Sequence, residues 1–127
     1  MIFPDSDVLV DVMRGLPAAL TWLASIGDEE IVLCGYVAME LIQGARNRAE
    51  QRRIERWLAS WSVAWPDETV CAHALTMFAK VHLGRSIGLL DALIAQHAVS
   101  LGTDLVTFNR KHYDGVPGLA TNQPYSR

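Results

Sequence analysis

Glu30-Ile31-Val32-Leu33-Cys34-Gly35-Tyr36-Val37-Ala38-Met39-Glu40-Leu41-Ile42 is the stretch whose reading decides the fold class. Ile31-Val32-Leu33 is a continuous apolar run between acids and Gly35. Such a run suits a strand buried on both faces, as in a parallel sheet. The period then changes. Val37, Leu41, Ile42 and Ala45 fall on one side of a helix, with Glu40 at the edge of that stripe. A strand that leads directly into a helix is the repeating unit of α/β proteins.

The same alternation extends in both directions. Met1 to Ser6 reads as a short strand, Asp7 to Arg14 as a helix, and Pro17 to Ile26 as a second helix after the break Gly15-Leu16-Pro17. Downstream, Ile54, Trp57, Leu58 and Trp61 keep helical spacing, with Arg52, Arg53, Glu55 and Arg56 on the other face. Ser62 to Trp65 reads as a short strand, and Pro66-Asp67 starts a helix reaching to about Gly84, with Val70, Ala74, Met77 and Val81 inward. Ser86-Ile87-Gly88 is a loop. Asp91 to Leu101 is a helix, apolar almost all round and therefore expected to be deeply buried. Asp104 to Thr107 is a strand, and a loop-rich tail follows Tyr113, with one short strand near Leu119. The order predicts an α/β fold, a three-layer α/β/α sandwich around a short, mostly parallel sheet, in one domain spanning 1–127. Ligands of such sheets sit at the carboxyl ends of the strands, near a switch in strand order.

The composition agrees with a globular domain: 50% of the 127 residues are hydrophobic and 20% are charged. No apolar run approaches the ~20 residues of a membrane helix, and Met1-Ile2-Phe3-Pro4-Asp5 lacks the basic region and apolar core of a signal peptide. The expectation is a cytoplasmic protein without a membrane partner. Cys34 and Cys71, both in apolar contexts, are expected to be buried free thiols. Net charge is −3, so bulk charge does not announce a nucleic-acid binder. Arg46, Arg48, Arg52, Arg53 and Arg56 are nevertheless clustered, and Arg110 and Lys111 form a smaller pair. They read either as solvated helix faces or as contacts to phosphate or a partner protein.

Three acids sit in apolar settings far apart in sequence: Asp5 at the end of the first strand, Glu40 within its helix, and Asp91 at the mouth of Ala92-Leu93-Ile94-Ala95. Carboxylates are costly to bury, and clustered without basic partners they repel and gain protons. A divalent cation is the usual remedy, and carboxylate-held magnesium or manganese suits phosphodiester cleavage. Taken singly, each acid also has a plainer reading: Asp91 as a helix N-cap, Asp5 as a turn residue, Glu40 as a helix-surface carboxylate. Asp7 and Asp11 read as first-turn charges that favour a helix N-terminus. Trp57 and Trp61 read as core or interface residues, and His73, His82 and His97 as structural or surface ones.

Phe3-Pro4-Asp5-Ser6-Asp7-Val8-Leu9-Val10-Asp11, Ala38-Met39-Glu40-Leu41-Ile42-Gln43-Gly44-Ala45, Leu90-Asp91-Ala92-Leu93-Ile94-Ala95 and Val106-Thr107-Phe108-Asn109-Arg110-Lys111-His112-Tyr113 occur in that order. Together they resemble the PIN-domain ribonucleases, most closely the VapC-type toxins of bacterial toxin–antitoxin pairs. The resemblance implies that Asp5, Glu40 and Asp91 bind Mg²⁺ or Mn²⁺. It implies that Ser6 is the small hydroxyl residue after the first acid, and that Thr107 and Asn109 are the polar pair ending the late strand. It also implies a metal-dependent endoribonuclease, a cognate antitoxin and a homodimer, with exposed apolar residues around Leu16 to Leu23 as candidate contacts. Two positions depart from the pattern. His112 stands where many relatives carry another acid, which gives it a candidate substrate or active-site role and leaves three alternatives: a neutral oxygen from Asn109, coordination by Asp7 through water, or a single metal ion. Pro4 stands where an aliphatic residue is usual.

Other readings compete with the toxin. A housekeeping PIN nuclease of RNA maturation would carry the same acids, and a non-catalytic PIN-fold module binding RNA or protein would be expected to lose them. More remotely, Asp5-Ser6-Asp7-Val8 also resembles the start of haloacid-dehalogenase-like phosphatases. Those enzymes need a later Lys and an acid pair, and Lys80 and Lys111 are the only lysines.

Overall fold

The computed structural model describes residues 1–127. Its elements are β1 (Phe3–Pro4), α1 (Ser6–Met13), α2 (Pro17–Ser25), β2 (Val32–Cys34), α3 (Gly35–Gln43), α4 (Arg48–Leu58), β3 (Ser62–Ala64), α5 (Glu68–Val81), α6 (Leu89–Leu101), β4 (Leu105–Val106), α7 (Arg110–Tyr113) and β5 (Thr121–Asn122). Every strand pairing is parallel. β1 pairs with β4, β4 with β5, and β2 with β3. A single parallel bridge, Ile2 to Ile31, joins the two sets. The strand order across the molecule is therefore β3-β2-β1-β4-β5, which confirms the parallel sheet expected from Ile31-Val32-Leu33.

Pro4 explains why the sheet is nearly divided. The Ile2 N–H donates to Glu30 and the Ile2 carbonyl accepts from Val32, so Ile2 faces β2. The next residue of β1 to face β2 is Pro4, which has no N–H to donate, and the ladder stops there. On the other side the Asp5 N–H still reaches the Val106 carbonyl at 2.9 Å. Pro4 is thus a paired residue of β1, in register with Val106.

From β1 the chain steps outward in one direction to β2 and β3, then returns to the other side for β4 and β5. Right-handed crossovers then place α1 to α4 on one face and α5 to α7 on the other. Within each set α1 meets α2 and α3, α3 meets α4, and α5 lies along α6, while α3 also touches α6 of the other set. Phe3, Leu9, Leu33, Val37, Ile94, Ala98 and Leu105 are wholly buried between the layers. Burying an apolar side chain of this size stabilises the fold by about 1.5–3 kcal/mol.

Several boundaries differ from the sequence reading for identifiable reasons. Asp67 caps α5 as its position suggests, accepting from Val70 N–H at 2.9 Å, but α5 ends at Val81. α6 starts at Leu89, two residues before the expected Asp91, because Gly88 serves as its N-cap. Asp91 is consequently inside the first turn and is not the cap. α6 ends at Gly102 in the left-handed conformation, φ 64, which glycine adopts freely. The expected burial of the helix from Asp91 to Leu101 holds for Ala92, Ile94, Ala95, His97 and Ala98, while Leu101 at its end is 39% exposed and Leu89, in the turn added before Asp91, is 71% exposed. Cys34 is a buried free thiol, whereas Cys71 is only partly buried. Of the stretch Leu16 to Leu23, Leu20 presents a large exposed apolar side chain, at 45%, while Leu75 and Leu89 on α5 and α6 expose far more. α7, four residues long, fills the stretch between the late strand and the loop-rich tail, to which the sequence reading assigns no element.

Candidate active site

β1 and β4 are neighbours at the switch in strand order, and their carboxyl ends lead straight into Asp5 and Thr107. Asp5 is only 3% exposed. It occupies the N-cap of α1, and its Oδ1 accepts from Ser6 N–H at 2.8 Å. Oδ2 accepts from the Thr107 hydroxyl at 3.0 Å and from the Tyr113 hydroxyl at 2.9 Å. Three donors aimed at one carboxylate favour its charged form. Burial, and then the charge on Asp7, act more strongly the other way and push Asp5 up to about 6.

Tyr113 spans the site. Its hydroxyl lies 3.2 Å from Asp91 Oδ1 as well as 2.9 Å from Asp5 Oδ2, and its side chain is 1% exposed. One phenolic proton is shared between two acids, and burial with the charges of Asp5 and Asp91 raises the phenol far above its ordinary range. Asp91 Oδ2 also accepts from Gly88 N–H at 3.3 Å and lies 3.7 Å from His112 Nδ1. As a glycine, Gly88 has no side chain with which to return that bond, so Asp91 makes half of a capping box. Its other oxygen faces the site.

Glu40 comes from α3. Its Oε1 is buried and has no hydrogen-bond partner, which leaves a polar atom without compensation. Burial raises Glu40 to about 7, with the charges of Asp5 and Asp91 adding to the effect and Ser6 opposing it. That mutual influence places Asp5, Glu40 and Asp91 in one electrostatic cluster. Asp7 braces it. Its Oδ2 accepts from Phe108 N–H at 2.9 Å and from Thr107 Oγ1 at 3.4 Å, which ties α1 to the end of β4. Asp7 is also raised, chiefly by burial, with the Phe108 and Val8 N–H groups opposing. Beyond its first-turn position, it is therefore a cross-link within the site.

The Thr107 hydroxyl accepts from Asn109 N–H at 3.1 Å, and Asn109 leads into α7 without capping it through its side chain. α7 is what delivers His112 and Tyr113 to the acids. Tyr113 closes the last of the four sequence motifs, where nothing local in the sequence assigns it a role. An aromatic residue four positions beyond Asn109, at the end of that motif, was the available signal.

The acids answer one requirement of a divalent cation, a set of oxygens that repel one another and include an unpartnered one. No three His, Cys, Asp or Glu side chains stand ready as a cage. Magnesium is commonly held by one or two carboxylates with water completing its shell, so the residues fit the ion without such a cage.

A groove of about 800 Å³ between α1, α3 and α4 opens beside the acids, with Ser6 and Glu40 in its lining. Arg46 and Arg53 line it as well, joined by Arg14, which the sequence did not single out. Arg48, Arg52, Arg56 and Arg110 are exposed elsewhere, outside this lining. A second cluster closes the rim behind Asp7. Asp11 Oδ2 accepts from the Tyr125 hydroxyl and from Arg127 Nε, both at 2.9 Å, and the Arg127 guanidinium stands 4.0 Å over the Phe108 ring.

Known proteins resemble this chain in sequence and fold. A PIN-domain family model matches residues 2–116. Ribonuclease VapC10 of Mycobacterium tuberculosis (strain ATCC 25618 / H37Rv) is 34% identical over 114 residues, covering 89% of this chain and 86% of that protein. The tRNA(fMet)-specific endonuclease VapC of Shigella flexneri is 27% identical over 122 residues, covering 92% of each. The structure of VapBC-1 from nontypeable Haemophilus influenzae aligns with 97% of this chain and 98% of that one, with a TM-score of 0.80 and 26% identity.

Proposed function

This chain belongs to the PIN-domain family, and we propose that it is the ribonuclease toxin of a toxin–antitoxin pair, hydrolysing RNA phosphodiesters at the cluster of Asp5, Glu40 and Asp91. The observation that carries the proposal is the unpartnered, buried Glu40 Oε1 beside two further acids, at the carboxyl end of a parallel sheet. The names of VapC10 and of the Shigella endonuclease support ribonuclease chemistry. Asp5, Glu40 and Asp91 would hold Mg²⁺ or Mn²⁺, with Asn109 and Asp7 nearby. A divalent cation so placed offers positive charge to a scissile phosphate and makes water at the site more acidic.

The remaining work belongs to the chain's own side chains. Thr107 and Tyr113 hold the Asp5 carboxylate in one orientation. Tyr113 and Gly88 do the same for Asp91. Ser6 stands beside Glu40, where a hydroxyl is able to meet a phosphate oxygen. His112 is 46% exposed at the mouth, its Nδ1 turned to Asp91, in a position to meet substrate. Water attacking phosphorus in line leaves a 5′-phosphate and a 3′-hydroxyl, and the ribose 2′-hydroxyl takes no part. Selectivity for RNA then rests on shape and single-strandedness at the cut.

The name VapBC-1 supports a cognate antitoxin as partner. Arg52, Arg56 and Arg110, outside the groove, are assigned to that partner. A second copy of the chain is the proposed homodimer partner, through exposed apolar residues. No helix is long and apolar enough to cross a membrane, and the proposed site of action is the cytoplasm. Sequencing 5′-monophosphate RNA ends after brief induction tests the activity. Discrete new ends that depend on Asp91 are expected. A profile identical to that of an Asp91→Asn strain would defeat the proposal.

A further inference from the structure

The groove between α1, α3 and α4 has two ends of opposite character. Ser6 and Glu40 mark the catalytic end, and Arg14 and Arg53 line the same groove. Ser6 begins α1 and Arg14 is its C-cap. At 1.5 Å per residue, the groove follows α1 for roughly 12 Å away from the acids.

The arginines within it are not equivalent. Arg46 is already occupied: its Nε lies 3.2 Å and its Nη2 3.1 Å from Glu50 Oε2. Arg14 and Arg53 form no ion pair. Both are exposed, on a chain whose net charge is −3. Two unpaired guanidinium groups from different helices, α1 and α4, thus share a groove that leads from the catalytic acids. A guanidinium fork matches phosphate oxygens in charge and geometry.

We infer that Arg14 and Arg53 form a backbone-phosphate subsite for the RNA strand beyond the scissile bond. The inference rests on the ribonuclease reading, because it is continuity with the acids that selects RNA over an acidic protein segment. A strand whose cut phosphate lies at Glu40 and Ser6 continues along α1 and meets these arginines next. The subsite positions the strand and does not choose its sequence, since phosphates are the same at every nucleotide. Arg52 and Arg56 carry the same charge on the same helix but lie outside the groove, so they separate a local subsite from bulk attraction.

The test is equilibrium binding of a labelled polyuridylate oligonucleotide to the full chain in metal-free buffer, across a salt series. Each phosphate neutralised on a single strand contributes about 0.7 to the slope of log affinity against log salt. Arg14→Ala/Arg53→Ala is expected to lower that slope by about 1.4 and to weaken binding most at low salt. Arg14→Lys/Arg53→Lys is expected to keep most of the slope, and Arg52→Ala/Arg56→Ala to change it by less than half as much. An unchanged slope in the first variant overturns the subsite, as does an equal loss in Arg52→Ala/Arg56→Ala. A loss of antitoxin binding with RNA binding intact assigns the groove to the protein partner and also overturns it. If the parent cleaves RNA while the slope is unmoved, only the subsite fails; if the parent neither binds nor cleaves RNA, the ribonuclease reading fails too.

Discussion

Removing one oxygen atom tests how the acid cluster is held together. Tyr113→Phe keeps the ring that fills the core and deletes the hydroxyl shared by Asp5 Oδ2 at 2.9 Å and Asp91 Oδ1 at 3.2 Å. Hydrogen bonds to charged groups contribute about 1.5–3 kcal/mol. Asp5 keeps its bonds from Ser6 and Thr107, so the expected loss in metal-free protein at pH 8 is about 2 kcal/mol, a fall of roughly 5–10 °C in Tm.

The sign with pH follows from the acceptor. Asp5 titrates near 6, so at pH 5 it is largely protonated and the missing bond is closer to a neutral one, at about 1 kcal/mol. Removing a donor from the charged form also pushes Asp5 higher still, and the variant gains more than the parent from added Mg²⁺. Thermal unfolding by circular dichroism at both pH values, with and without Mg²⁺, reads all three effects. An unchanged Tm at pH 8, or the same loss at both pH values, would refute a charge-assisted role for the hydroxyl.

Other expectations follow from the same geometry. Folded Asp5 rises from 3.8 to about 6 and Glu40 from 4.5 to about 7. The native state therefore holds protons that the unfolded chain releases, and metal-free stability falls as pH climbs from about 4 through 7, by about 3 kcal/mol from Asp5 alone; Tm measured across that range in chelator is expected to fall, and a rise would contradict the assignment. Asp5→Asn and Asp91→Asn are each expected to abolish RNA cleavage, while His112→Ala, at the exposed mouth, lowers it by less; initial rates on one RNA substrate rank the three. A Cβ on Gly35 would run into the Trp65 ring, so Gly35→Ala is expected to cost about 1–3 kcal/mol and to shift tryptophan fluorescence as Trp65 leaves its edge contact with Tyr36; a parental spectrum and Tm would count against that packing.

The fold was legible because its evidence is local. Ile31-Val32-Leu33 declares a strand covered on both faces, and the period change at Val37 declares the helix after it. Asp5, Glu40 and Asp91 stood out as acids in apolar settings. The rest depends on contacts that no local pattern contains. Tyr113 reaches Asp5 across 108 positions of sequence, by way of a four-residue helix too short to show a period. The arginines of α4 look alike in sequence, yet only Arg53 of that helix lines the groove, as does Arg14 at the end of α1. Asp91 offered two readings, cap or ligand, and the cap falls to Gly88, which no local pattern of the sequence announces.

RNA cleavage by the purified chain, with and without a divalent cation, tests the central claim most directly. Metal-stripped protein in EDTA is expected to leave a single-stranded RNA intact, and added Mg²⁺ or Mn²⁺ to restore cutting with 5′-monophosphate ends in the parent but not in Asp5→Asn. Cleavage that persists in excess chelator after metal content is verified as nil, or that survives Asp5→Asn at the parental rate, would contradict the account.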